Sequence, residues 1–88
     1  MPMFLVERNF AQQLQLGKEE FRKIDKFTDE LGANWLASFL SADKKKTYCL
    51  YEARDTEQLM QHAQALGLPA DAIVEVNRFW PEPGSDES

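Results

Sequence analysis

Thr47-Tyr48-Cys49-Leu50-Tyr51-Glu52-Ala53 is the stretch that decides the fold of this 88-residue chain. Two tyrosines, a threonine, a cysteine and a leucine in succession suit a pleated, well-buried surface. A lysine-rich turn comes before the stretch, and Asp55, a residue suited to starting a helix, follows it. The simplest reading is a central strand between a hairpin and a helix.

Working backward, residues 34–41 (Asn-Trp-Leu-Ala-Ser-Phe-Leu-Ser) read as the partner strand. Strict alternation puts Trp35, Ala37 and Phe39 on one face, with Leu36, Ser38 and Leu40 on the other. Ala42-Asp43-Lys44-Lys45 is the loop of the hairpin, and Lys44, Lys45 and Lys46 read as a solvated tip. Working forward, Asp55 and Gln58 have the spacing of a capping box. Leu59, Ala63 and Leu66 form the buried stripe of the helix that follows, with Met60 and His62 on its flanks. Gly67 and Pro69 end that helix. Residues 72–80 are expected as a last strand, and 81–88 as a disordered acidic tail.

At the other end, residues 3–10 read as a first strand, with Phe4, Val6 and Arg8 on one face and Leu5 and Glu7 on the other. A polar connection leads to a helix capped at Gly17. There Leu16 can staple onto Phe21, and Glu20 can reach back to the cap amide. Phe21, Ile24, Thr28 and Leu31 make the inward stripe, Phe27 lies at its edge, and Gly32 supplies the left-handed position after the helix. The order β-α-β-β-α-β is that of a ferredoxin-like α+β domain over residues 1–80: a four-stranded antiparallel sheet with two helices on one face. Strands one and three are read as parallel neighbours at its centre. Both strand faces are apolar over much of their length, so the face without helices is expected to be covered by a second copy, as a sheet-to-sheet homodimer.

Composition excludes several classes of function. The net charge is −5 and the sequence pI about 4.8, a poor match for phosphate backbones. Lys46-Thr47-Tyr48-Cys49-Leu50-Tyr51 keeps the basic start and aromatics of an RNA-recognition strand but lacks its glycine, so no nucleic-acid partner is expected. One cysteine cannot form an internal disulfide. No apolar run reaches the length of a membrane span, and the N-terminus lacks a basic leader, so the expectation is a cytoplasmic protein without a membrane partner. There is no CxxC, HxxxH, glycine-rich phosphate loop or GxSxG.

The candidate site residues are therefore ionisable groups near strand ends, together with neighbouring aromatics. Glu7 and Glu52, on strands read as parallel neighbours, would share a half-buried site if they also share a face, and could there hold a cation. His62 is the only histidine and the remaining metal donor. Glu7, Arg8, Trp35, Tyr48, Glu52 and Glu75 are the polar and aromatic residues from which a ligand site at the open sheet face would be built. Arg8 favours an anion there, whereas Glu7 with Glu52 favours a cation.

Leu5-Val6-Glu7-Arg8-Asn9-Phe10, Trp35 with Ser38, the Asp43 turn, Tyr48-Cys49-Leu50-Tyr51-Glu52-Ala53, His62-Ala63, and Leu68-Pro69-Ala70-Asp71 followed by Ile73-Val74-Glu75-Val76 form a set of segments. Together they resemble a family of small bacterial nickel-binding proteins. The resemblance implies a ferredoxin-like dimer of the dimeric α+β barrel type, in a family of which some members bind nickel. Glu7-Arg8 departs from the histidine-rich pattern of the nickel-binding member, replacing imidazoles with a carboxylate and a cation. The leading expectation is a homodimer binding a metal ion or small ligand at the open sheet face. The alternatives are a cofactor-free enzyme of the same architecture, or a dimerisation module without a site.

Overall fold

The computed structural model describes residues 1–79. The order is β1 (Met3–Asn9), α1 (Lys18–Glu30), β2 (Asn34–Leu40), β3 (Lys46–Glu52), α2 (Thr56–Leu66) and β4 (Ala72–Val76). The strands form one sheet in the order β2-β3-β1-β4, and every neighbouring pair is antiparallel. This is the expected ferredoxin-like α+β arrangement. The last strand stops at Val76, short of its expected end; Trp80 and the acidic tail at 81–88 lie outside the described residues.

One topological expectation is corrected. β1 and β3 are neighbours, but they run antiparallel, with Met3 opposite Glu52 and Glu7 opposite Tyr48. The crossover through α1 makes β1 and β2 parallel and leaves a slot between them. The tight β2–β3 hairpin reverses the chain into that slot, so β3 must oppose both neighbours.

A second correction concerns β2. Trp35 pairs with Tyr51 but Ala37 pairs with Leu50, so Leu36 is the extra residue of a bulge. Beyond it every side chain changes face relative to strict alternation. Trp35 and Ser38 therefore lie on the helix-covered side with Tyr51 and Cys49, while Ala37 and Phe39 join Leu50 and Tyr48 on the open side.

The core lies between sheet and helices. Phe4, Val6, Ala33, Cys49, Tyr51, Ala53 and Leu59 are buried there, and Trp35, Ala70 and Ile73 pack against them. α2 docks closely: Leu59, His62 and Ala63 are buried, and Gly67 ends the helix in the left-handed region at φ 68°. Its cap is Asp55, whose Oδ1 accepts from Gln58 N at 2.9 Å. The reciprocal bond shifts by one residue, because Gln58 Oε1 accepts from Arg54 N at 2.8 Å.

α1 docks differently. Its stripe is the one the spacing predicts, yet Thr28 is the only residue of the helix that is buried. Ile24 and Phe27 are half-buried, and Phe21 remains 42% exposed although it stacks on Trp35 with ring centroids 5.6 Å apart. The N-terminal half of α1 stands off the sheet. The connection that precedes it is pinned to the β2–β3 turn by Phe10 N donating to Lys45 O (2.8 Å) and Leu14 N donating to Lys44 O (2.7 Å).

Candidate functional site beneath the first helix

The gap left by α1 is a cavity of about 570 Å³, within the size range of small-molecule sites, roughly 300–1,000 Å³. Most of its wall is apolar: Phe10, Leu14 and Leu16 from the connection, Phe21 and Ile24 from α1, Trp35 and Leu40 from β2, and Leu68 after α2. Arg8, Ser38, Thr47, Cys49 and Tyr51 from the sheet bring polar atoms to the same cavity. Site and helices thus share one face of the sheet, opposite to the face on which the sequence reading places a ligand.

Arg8 is the unusual member of this set. It continues the inward series Phe4, Val6, Arg8 along β1 and is only 2% exposed. A buried guanidinium is costly unless it is paired and hydrogen-bonded. Its Nη1 donates to Pro69 O at 2.6 Å and its Nη2 to Tyr51 Oη at 3.1 Å. Both partners are neutral, and among the described residues no carboxylate forms an ion pair with Arg8. Burial pushes the Tyr51 phenol up to about 12 against the opposing pull of Arg8. Tyr51 therefore stays uncharged and does not balance the guanidinium.

Along β2 and β3 the polar atoms form a chain. Trp35 Nε1 donates to Ser38 Oγ (2.7 Å), Ser38 Oγ donates to Cys49 Sγ (3.0 Å), and Cys49 Sγ approaches Thr47 Oγ1 (3.8 Å). The direction of the chain leaves the Thr47 hydroxyl hydrogen uncommitted. Thr47 sits directly opposite Arg8 in the β1–β3 register. Tyr51 Oη accepts from Arg8, so its own hydrogen is also available as a donor.

His62 lies behind this wall and does not line the cavity. It is fully buried, with Phe27 stacked at 5.9 Å and the edge of Tyr51 at 5.4 Å. Thr28 Oγ1 donates its one hydrogen to Ile24 O at 2.7 Å, so the 2.8 Å contact with His62 must be a bond from Nε2–H to Thr28. Nδ1 is then an unprotonated nitrogen, buried and without a hydrogen-bond partner among the described residues. Burial, and secondarily the charge of Arg8, pushes the imidazole down to about 4.

The structure separates the residues singled out from the sequence. Arg8 and Trp35 line the cavity. Glu7, Tyr48 and Glu52 share the open face, but Glu52 sits four positions along β3 from the partner of Glu7, an offset of about 13 Å along the strands. Antiparallel pairing puts the two carboxylates at opposite ends. Glu7 meets Lys46 Nζ at 3.5 Å and holds that ammonium above its ordinary value, while Glu52 accepts from Asn34 Nδ2 at 3.2 Å. Glu75, opposite Phe4 at the β4 edge, is exposed.

Among the described residues no three of His, Cys, Asp and Glu come together in a way that could hold a metal ion. The one histidine is enclosed, with Nε2 committed to Thr28. The described side chains of a single chain therefore do not fit a resident nickel, which favours several exposed imidazole, thiolate or carboxylate donors. Sequence reasoning misses Ser38, Thr47 and Tyr51 as site residues. Their signal is a run of polar atoms on the inward face of β2 and β3, which becomes visible only once the bulge fixes the register.

Comparison with known proteins agrees with the fold. The family model described as nickel responsive protein SCO4226-like matches residues 4–76. The crystal structure of SCO4226 from Streptomyces coelicolor A3(2) superposes with a TM-score of 0.69 at 15% identity, covering 89% of this chain and 99% of that one. No curated protein matches the chain. The chain belongs to the nickel responsive SCO4226-like family.

Proposed function

We propose that this member of a nickel responsive family is a small-molecule-binding domain, and that its site is the cavity between α1 and the sheet. The observation that carries the reading is the stand-off of α1. A 13-residue helix with a well-formed apolar stripe leaves the N-terminal part of that stripe, Phe21 and Ile24, facing about 570 Å³ of space, not a packed core. Cavities of this size cost stability because their walls lose packing partners. A ligand that fills the space restores those contacts and stabilises the fold by an amount that grows with the logarithm of its concentration above Kd.

The test is a two-dimensional amide NMR titration of the chain with small aromatic and aliphatic probes. Shifts should cluster at Arg8, Leu16, Trp35, Ser38 and Thr47. Shifts confined to the open-face residues Leu5, Tyr48 and Leu50 would sink the reading.

A second reading rests on the other face of the sheet. Leu5, Ala37, Leu50 and Val74 lie side by side there, with Phe39 62% and Val74 54% exposed. An apolar strip across four strands supports pairing with a second copy, which would leave the cavities on the outer, helix-covered sides. Nickel would then need donors from two copies, with Glu7 and Glu52 the carboxylates on the paired face. The cavity contains neither Glu52 nor His62. Its one acid, Asp25, is exposed on α1, so the cavity offers neither a histidine nor the buried acid that the cofactor-free enzyme reading requires.

A further inference from the structure

We infer that the cavity selects an anionic ligand, a compact aromatic or branched molecule bearing one carboxylate, whose head group completes the coordination of Arg8. This inference rests on the cavity being a binding site and adds the charge and shape of its occupant. Arg8 is a buried cation whose two hydrogen-bond partners are a backbone carbonyl and a neutral phenol. A guanidinium carries five N–H donors in a planar fork that matches a carboxylate. Two are used here, which leaves donors for a ligand.

The neighbouring groups have the same polarity. Thr47, opposite Arg8, and Tyr51, bonded to it, each have a hydroxyl hydrogen to give. The charged residues in the lining are Arg8, Arg22 and Asp25, a net positive set in a chain whose overall charge is −5. Arg22 and Asp25 are exposed on α1, at the rim, whereas Arg8 is in the interior. The local field inside the cavity is thus opposite in sign to that of the molecule. An ammonium ligand would meet the guanidinium without an acceptor to balance it. A neutral amide would leave the charge of Arg8 unmet.

The walls define the rest of the ligand. Phe10, Phe21 and Trp35 are flat aromatic surfaces, while Leu14, Leu16 and Ile24 add aliphatic ones. A planar apolar body with a single charged end fits both features.

Three probes of one shape separate the possibilities: 2-naphthoate, 2-naphthamide and 2-naphthylmethylammonium, each titrated by amide NMR into the chain and into Arg8→Met, Arg22→Gln and Thr47→Val. In the unaltered protein the carboxylate should bind about tenfold or more tighter than the amide, the scale of a hydrogen bond to a charged group, and the ammonium weakest of all. Arg8→Met should bring carboxylate and amide level. Arg22→Gln, at the rim, should reduce the preference far less than Arg8→Met does, and Thr47→Val should reduce it several-fold, on the scale of one neutral hydrogen bond. If carboxylate and amide bind the unaltered protein equally at the cavity amides, or the ammonium binds best, the charge inference is overturned while the cavity remains a site. If Arg22→Gln, and not Arg8→Met, removes the preference, Arg8 is not the receptor. If no probe moves a cavity amide, the binding-site reading itself falls, and this inference with it. Should Arg8→Met fail to fold, the ranking of the three probes on the unaltered protein, together with Thr47→Val, still decides the matter.

Discussion

Lowering the pH should destabilise this domain through His62 before most of its carboxylates titrate. The imidazole lies between Phe27 and Tyr51, gives its one proton to Thr28 and has no acceptor for a second at Nδ1. The charged groups nearest in the packing offer no help, since Arg8 is itself a cation and Tyr51 a neutral phenol. In the unfolded chain His62 takes up its proton near the ordinary value of 6.5, but in the folded chain only at about 4. Between those values the unfolded state holds more protons, so stability rises with pH through the window and is lost as pH falls. Each tenfold weakening of proton binding on folding corresponds to about 1.4 kcal/mol. The expected loss relative to neutral pH is about 0.7 kcal/mol at pH 6, about 2 kcal/mol at pH 5 and approaches 3 kcal/mol near pH 4.

Urea unfolding of the chain and of His62→Gln, at closely spaced values from pH 7.5 to 4.5, isolates this contribution. The glutamine amide can still donate to Thr28 but cannot be protonated. The variant should start less stable at neutral pH, because a packed ring has been replaced, and the two curves should converge by about 2 kcal/mol at pH 5. Parallel curves over that range would refute the reasoning, as would a histidine ring resonance titrating near 6.5 in the folded protein.

Four further outcomes follow from contacts described above. Gly67→Ala should cost about 1 kcal/mol in chemical denaturation, because φ is 68° there and nothing lies within 4 Å of the added methyl, so the cost is conformational and not steric. Gln58→Ala should cost more, roughly 2–3 kcal/mol, because its side chain accepts from Arg54 N and donates to Leu31 O at 2.6 Å, tying the end of α1 to the start of α2. Leu5→Asp, at the centre of the open face, should lower the mass measured by sedimentation at micromolar concentration; a mass equal to that of the unaltered chain removes the sheet-to-sheet pairing. Calorimetric titration with nickel should give the same heats for Glu7→Gln, Glu52→Gln and the unaltered protein, and loss of heat in either variant would restore that carboxylate as a ligand.

Much of the architecture could be read from local signals. Asp55, Gly67 and Gly32 each act where their chemistry places them, at a cap or in a left-handed position. The alternation in β1 correctly puts Phe4, Val6 and Arg8 on one face. What could not be read depends on contacts far apart in sequence. The bulge at Leu36 is not marked by any glycine or proline, so Trp35-Leu36-Ala37-Ser38-Phe39 reads as unbroken alternation. The stripe of α1 announces a buried face but not the distance at which it docks, which the connection pinned to the Lys44 and Lys45 carbonyls helps to set. Arg8 looks like the charged end of a strand. It is interior because Pro69, 61 positions away, and Tyr51, 43 positions away, supply its hydrogen bonds.

The bulge at Leu36 also bears on how copies of this chain can meet. β2 is an edge strand, and a regular edge offers a template onto which a foreign strand can zip, extending one sheet into the next. An extra residue breaks the even spacing of amides and carbonyls and sharpens the local twist. The strand is thus a poor template just where it carries the exposed apolar side chains Leu36, Phe39 and Leu40. The irregularity that turns Ser38 toward the helix-covered face also guards the border of the sheet against runaway polymerisation.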